Sequence, residues 1–206
     1  SLPVPPGSEV HALRRLLSGV LDPDKLDYLN RDAYYCGVPY GVQDVDFFLE
    51  EIAADRETGF ALRAKGVSAV ENLLFSKYLM YKNVYWHKTV RIATAMIKKA
   101  LLLALREGVV APEDLYLLSD RTFRDVLSRH AFPPFRLVEE VFGRRLFKQV
   151  YRVPFLPENP AHRALSTVDV CLGREAALAR ELGRMIGRPV AAAEVVIDLP
   201  EAVTFE

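Results

Sequence analysis

The stretch VENLLFSKYLMYKNVYWHKTVRIATAMIKKALLLALR, residues 70–106, contains neither Gly nor Pro, and its apolar residues recur at helical spacing. It predicts one long helix, closed near Gly108 by a glycine cap. Upstream, residues 53–69 (AADRETGFALRAKGVSA) hold Gly59 and Gly66 and read as a hairpin or loop with short extended pieces. Residues 43–52 read as a short helix, and GVPYG (37–41) breaks the chain before it. Residues 22–36 form a helical stretch with Pro23 in its first turn. Residues 9–19 (EVHALRRLLSG) set Leu13, Leu16 and Leu17 on one side of a short helix, and residues 1–8 are an extended lead-in.

Downstream, Pro112 and the acids after it start another helix, and 120–131 and 135–143 are helical as well. The tail differs. VYRVPFLP (150–157) and AEVVIDLP (193–200) are β-branched, short and Pro-bounded, so strands are predicted there. Between them REAALARELGRMIG (174–187) is an amphipathic helix ending at Gly187. The fold class expected is mainly α: a helical body over 9–149 and a small α+β element over 150–206.

Composition bounds the function. Half of the 206 residues are hydrophobic, as in an ordinary globular protein. Lys plus Arg and Asp plus Glu both number 27, so no global field recruits a polyanion, and a long nucleic-acid partner is not expected, although a local pocket can be basic without a net excess. Cys36 and Cys171 have no metal-like spacing and suit reduced thiols of a cytoplasmic protein. No apolar run reaches the roughly 18 residues of a membrane span, and SLPVPPGSEV lacks the order of a signal peptide.

Two constellations carry chemistry. In LDPDKLDYLNRD (21–32), a helical advance of about 100° per residue puts Tyr28, Asp32 and Lys25 at roughly 40°, 80° and 100° from Asp24. Leu26, Leu29 and Ala33 fall on the opposite side, at roughly 140–200°. One face is apolar; the other aligns two carboxylates, an ammonium and a phenol. A carboxylate is a hard ligand for a divalent metal, a lysine neutralises phosphate, and a tyrosine lies along a sugar or base. The same pattern also suits a solvated face, with Asp27–Arg31 an exposed i,i+4 pair. In SKYLMYKNVYWHK (76–88), Lys77, Tyr81 and Tyr85 make one stripe, with Lys88 near its line. That stripe fits a phosphorylated sugar, or equally a tyrosine core stripe flanked by snorkelling lysines. His87, beside Trp86, suits a packed structural residue as well as a base. His11, His130 and His162 have no ligand-like spacing.

The string LDPDKLDYLNRDAYYCGVPYG resembles the last motif of HD-domain metal-dependent phosphohydrolases, in the branch that includes deoxynucleoside triphosphate triphosphohydrolases. The pattern there is roughly D-x-D-[KR]-[LMW]-D-Y-x-x-R-D followed by a glycine-containing turn. The resemblance runs from about residue 9 onward and is clearest through residue 110. It implies an HD-like helical bundle, present in part, with Asp24 as the final metal-ligand aspartate. It also implies that Lys25, Tyr28 and Asp32 contact phosphate and sugar, that Asp27 and Arg31 hold the helix, and that Lys77, Tyr81 and Tyr85 line the substrate pocket. Lys77 stands where some members place an arginine, so the bidentate fork is lost. Lys88 falls where one subgroup binds an activating nucleotide.

The family's site also needs an upstream His and a His-Asp doublet, which with the final Asp bind one or two divalent ions (Mn, Mg, Fe, Ni and Zn are not distinguished) and lower the pKa of a bound water. No His-Asp dipeptide occurs in the chain. The expectation is a C-terminal portion of a nucleotide phosphohydrolase, with dNTPs as a candidate substrate, with no complete catalytic set and inactive as it stands. The missing ligands would have been removed or would come from another chain. The alternatives are a non-catalytic helical binding or oligomerisation module, and a phosphodiesterase of another phosphate ester. The resemblance also implies a homo-oligomer.

Overall fold

The computed structural model describes residues 10, 14, 22–55 and 59–199. The expected lead-in at 1–8, and nearly all of the helical pattern at 9–19, lie outside the described residues. Among the described residues the chain is mainly helical, with eight α-helices and one two-stranded sheet. They form two compact units, divided after His87.

In the first unit, α1 spans Pro23–Cys36. Asp22 caps it, its carboxylate accepting from the Lys25 amide at 2.8 Å, and Pro23 sits in the first turn where no N–H is needed. Gly37, at φ 63°, ends it in the left-handed region. Leu26, Leu29 and Ala33 are buried, as the helical angles require. Helix α2, Val45–Glu50, starts on an Asp44 cap and buries Phe48. Strands β1 (Ile52–Asp55) and β2 (Gly59–Leu62) then pair antiparallel, from Ile52 opposite Leu62 to Asp55 opposite Gly59. Of the hairpin or loop expected over 53–69, the hairpin forms, and the last three residues of that segment are helical instead. Helix α3 runs Val67–Met80. Leu26, Leu29, Phe48, Leu73 and Met80 make the unit's core.

The uninterrupted run at 70–106 is not one helix. After α3, Tyr81–Tyr85 widens into a π turn, with the Trp86 amide donating to the Tyr81 carbonyl at 2.8 Å, five residues back. Trp86 then leaves helical geometry, and α4 starts again at Lys88 and continues to Arg106. No Gly or Pro marks this place. The side chains stabilise it instead: Tyr81 meets Tyr85 and Trp86 edge-on, at 5.1 and 6.4 Å between ring centroids, and Tyr85 finds a partner on α1.

In the second unit, α4 ends at Gly108 (φ 66°), and the Val109 amide reaches back to the Ala104 carbonyl at 2.9 Å, the predicted glycine stop. Pro112–Leu115 is a single 3₁₀ turn rather than a helix. Helices α5 (Asp120–Ser128), α6 (Arg136–Phe142), α7 (Pro160–Ala164) and α8 (Val168–Ile186) follow. The fully buried Ala100 and Ala104 let α6 approach α4 closely, and Met96, Leu127, Leu137 and Val138 fill the core around them.

The strands expected at 150–157 and 193–200 are a correction. Neither forms among the described residues, where the only ladder is β1–β2. β-branched residues favour extended backbone, but a strand exists only when another edge pairs with it. Val195–Asp198 is instead tied to helices: the Ile197 amide donates to Glu175 on α8 at 2.8 Å, and Arg91 on α4 pairs with Asp198. No described helix is long and apolar enough to cross a membrane.

Candidate functional site

The polar face of α1 and the end of α3 with its π turn lie together in the first unit. Asp24 is exposed in the first turn of α1. Lys25 is drawn back onto Asp22, its ammonium 2.7 Å from the carboxylate, with both side chains less than one-fifth exposed. Asp27 and Arg31 make the expected exposed i,i+4 pair at 3.1 Å. Asp32 accepts a 2.5 Å hydrogen bond from the Tyr85 hydroxyl. Tyr81 packs edge-on against Tyr85, and Lys77, partly buried, precedes Tyr81 by one turn.

Tyr28 is central to this group. Burial pushes its phenol up to about 12, and Tyr81, Asp22, Asp24 and Asp32 add to the rise by disfavouring a phenolate among them. Burial, followed by the hydrogen bond to Asp32, raises Tyr85 still further. The proton is held more tightly in the folded chain than in the unfolded one. The Tyr28 contribution to stability is therefore complete below pH 10 and is lost as pH climbs from 10 to about 12. In an absorbance titration of tyrosinate at about 295 nm, Tyr28→Phe is expected to remove amplitude only near and above pH 12. Loss of amplitude near pH 10 would show an ordinary, solvated phenol.

The network that sets α1 against α3 was not expected from sequence. The Asn30 side chain donates to the Leu26 carbonyl and accepts from the Gln43 amide at 2.7 Å. Gln43 in turn donates to the buried Ser76 hydroxyl at 2.8 Å and accepts from Asn72 at 3.2 Å. A signal did exist. Asn30 is a poor helix former, and its amide can compete for backbone groups.

Lys88 opens α4 and belongs to the second unit, and His87 is exposed at the end of the first. Cys36 and Cys171 are free thiols, and burial raises the latter's pKa.

A divalent metal of the kind the HD resemblance implies does not fit these residues alone. Among the described residues no three His, Cys, Asp or Glu side chains converge as a ligand set, and Asp24 offers one exposed carboxylate.

A family profile described as HD associated region matches residues 44–206, most of the chain. The chain belongs to the HD-associated region family. Helix α1 precedes the matched segment. An uncharacterised protein of Methanocaldococcus jannaschii is 32% identical over 152 residues, covering 72% of this chain and 33% of its own length. The Bacillus subtilis protein YwfO, also uncharacterised, is 41% identical over 86 residues, covering 42% of this chain and 20% of its own. A putative HD domain-containing protein of Acanthamoeba polyphaga mimivirus is 24% identical over 187 residues, covering 78% of this chain and 40% of its own. The HD-associated chain thus spans well under half the length of these relatives.

Proposed function

We propose that this HD-associated chain supplies the nucleotide-gripping side of an HD-type phosphohydrolase centre, with deoxynucleoside triphosphates as the favoured substrate class. The observation that carries the reading is the Tyr85–Asp32 hydrogen bond, which gathers Tyr28, Tyr81, Tyr85 and Asp32 into one partly buried group beside Lys25 and Lys77. Phenol rings and a carboxylate suit a sugar, and the lysines suit phosphate. Asp24 is the single metal-ligand carboxylate in this reading, and the remaining ligands lie outside the described residues. The resemblance supports a homo-oligomer and a regulatory nucleotide contact at Lys88, and both are part of the proposal.

The experiment is hydrolysis of nucleotides with manganese by a polypeptide carrying this sequence together with an upstream H…HD segment. Asp24→Ala is expected to lower the rate at least about 100-fold, since even residues behind a ligand are worth 10–100-fold. An unchanged rate would remove Asp24 from the metal centre.

A second reading is a non-catalytic binding or assembly module on an HD scaffold. It is favoured by the lack of a converging ligand set among the described residues. Metal-dependent turnover gained on adding the H…HD segment separates the two: its presence supports the hydrolase, its absence the module.

A further inference from the structure

Helix α3 carries apolar residues on every side, the composition of a helix that is buried all round. Only one side is buried within the chain: Leu73 and Met80 pack into the core of the first unit, and Ser76 is buried with them. At about 100° per residue, Val67, Glu71, Leu74, Phe75 and Tyr78 share another side, within an arc of roughly 100°. Phe75 is 60% exposed, and Val67, Leu74 and Tyr78 each leave more than two-fifths of their surface in solvent. The Phe75 and Tyr78 rings stack, with 6.3 Å between centroids and 26° between planes. The Lys82 ammonium, from the π turn, lies 5.6 Å over the Tyr78 ring, which places it on the same side.

The charges of this face stand at its two ends, with the apolar residues between them. Glu71 lies toward the start of α3 and Lys82 just past its end, and both are exposed. They are about 16 Å apart along the helix axis. A two-fold axis at the level of Ser76 and Lys77 runs a second copy of α3 antiparallel to the first. It sets Glu71 of each copy opposite Lys82 of the other, and Phe75 opposite Tyr78, so the face is complementary to itself. An anionic membrane or a nucleic-acid strand meets the wrong sign at the Glu71 end. A convex helix face encloses no small ligand. The order acid, rings, base therefore selects a second copy of the same face.

We infer that the Val67–Glu71–Leu74–Phe75–Tyr78–Lys82 face of α3 is a two-fold, antiparallel interface between copies of this chain. The inference rests on the homo-oligomer of the proposed function and names its surface. Because the Phe75 and Tyr78 rings are already stacked in one copy, little ordering is needed on association. Pairing also steadies the helix that carries Lys77 and leads into Tyr81 and Tyr85. One helix width is a small interface, so a dissociation constant on the order of 10–100 µM is expected.

Sedimentation velocity of the full chain over a concentration series, without nucleotide or metal, tests the inference, so its failure is separate from failure of the hydrolase reading. A monomer–dimer equilibrium is expected. Phe75→Asp is expected to weaken it at least about 100-fold, and unchanged far-UV ellipticity shows that the exposed position can change without loss of fold. Glu71→Lys alone and Lys82→Glu alone each set like charges opposite one another at both ends of the pair, and each is expected to weaken association roughly tenfold at low salt. The two together restore opposite charges across the axis and should return it to within about threefold of wild type. The restoration is the decisive arm, since a merely structural role for either residue gives additive losses. The inference is overturned by a chain that stays monomeric to about ten times the expected dissociation constant, or by association indifferent to Phe75→Asp. A double variant no better than the singles also overturns it, because the copies then do not pair antiparallel on this face. The last arm is the longer polypeptide with the upstream H…HD segment, which should associate with the same dependence on Phe75. If it is monomeric and Phe75→Asp unfolds it, the face belongs to that segment and the inference fails.

Discussion

Glu175→Ala is expected to destabilise the second unit by about 3–5 kcal/mol. Glu175 on α8 and Lys99 on α4 form an ion pair in which neither side chain is more than 4% exposed. The second oxygen of Glu175 accepts the Ile197 amide, so one carboxylate joins α4, α8 and the tail. Its removal leaves a buried ammonium with no counter-charge and a backbone donor with no acceptor. Replacing both charges at once, Lys99→Met with Glu175→Leu, is expected to recover most of that loss. The ion pair as such adds little once its desolvation is counted, and the Ile197 amide remains the residual cost, about 1–3 kcal/mol. Urea unfolding by far-UV ellipticity, with amide exchange in α4 and α8, makes the measurement. A loss below about 1 kcal/mol for the single variant would mean that water reaches the pair.

Gly41→Ala is expected to cost about 2–4 kcal/mol and to loosen the candidate site. Gly41 is buried at φ 107°. A Cβ there would sit 2.9 Å from the Ala33 methyl, 3.1 Å from the Leu29 carbonyl oxygen and 3.3 Å from Met80 Cγ. Backbone strain and overpacking therefore act together, and relief requires α1 to move away from Met80, and with it Asp32 from Tyr85. Gly37→Ala is the control. It also has positive φ, 63°, but meets nothing within 4 Å, so it should lose only about 1 kcal/mol from backbone conformation. If both variants lose the same stability, the close approach at Gly41 does not hold α1 in place. Tyrosinate absorbance near pH 11 gives a second readout, since a loosened Tyr28 would ionise at lower pH than about 12.

Much of the first unit was legible because its determinants are local. The apolar face Leu26, Leu29 and Ala33, Pro23 in the first turn and the break at Gly37 define α1 by spacing and end chemistry. The alignment of Asp24, Lys25, Tyr28 and Asp32 on the opposite face follows from the same geometry. Their partners were not legible. Lys25 is engaged by Asp22, and Asp32 and Tyr85 are engaged with each other, although sequence spacing offered all of them equally to a ligand.

By itself, the sequence determined which faces are apolar, the glycine stops at Gly37, Gly108 and Gly187, and that the chain is mainly helical, because glycine stops and 3.6-residue periodicity act within a few residues. Only the tertiary structure decided the break at Tyr81–His87, the replacement of tail strands by a segment tied to helices, and the burial of Lys99 with Glu175. The π turn is stabilised by aromatic contacts and by a hydrogen bond to Asp32, 53 residues away. A strand needs a paired edge, and a charge can be buried only beside its counter-charge. Each of these depends on residues distant in the chain, where spacing carries no information.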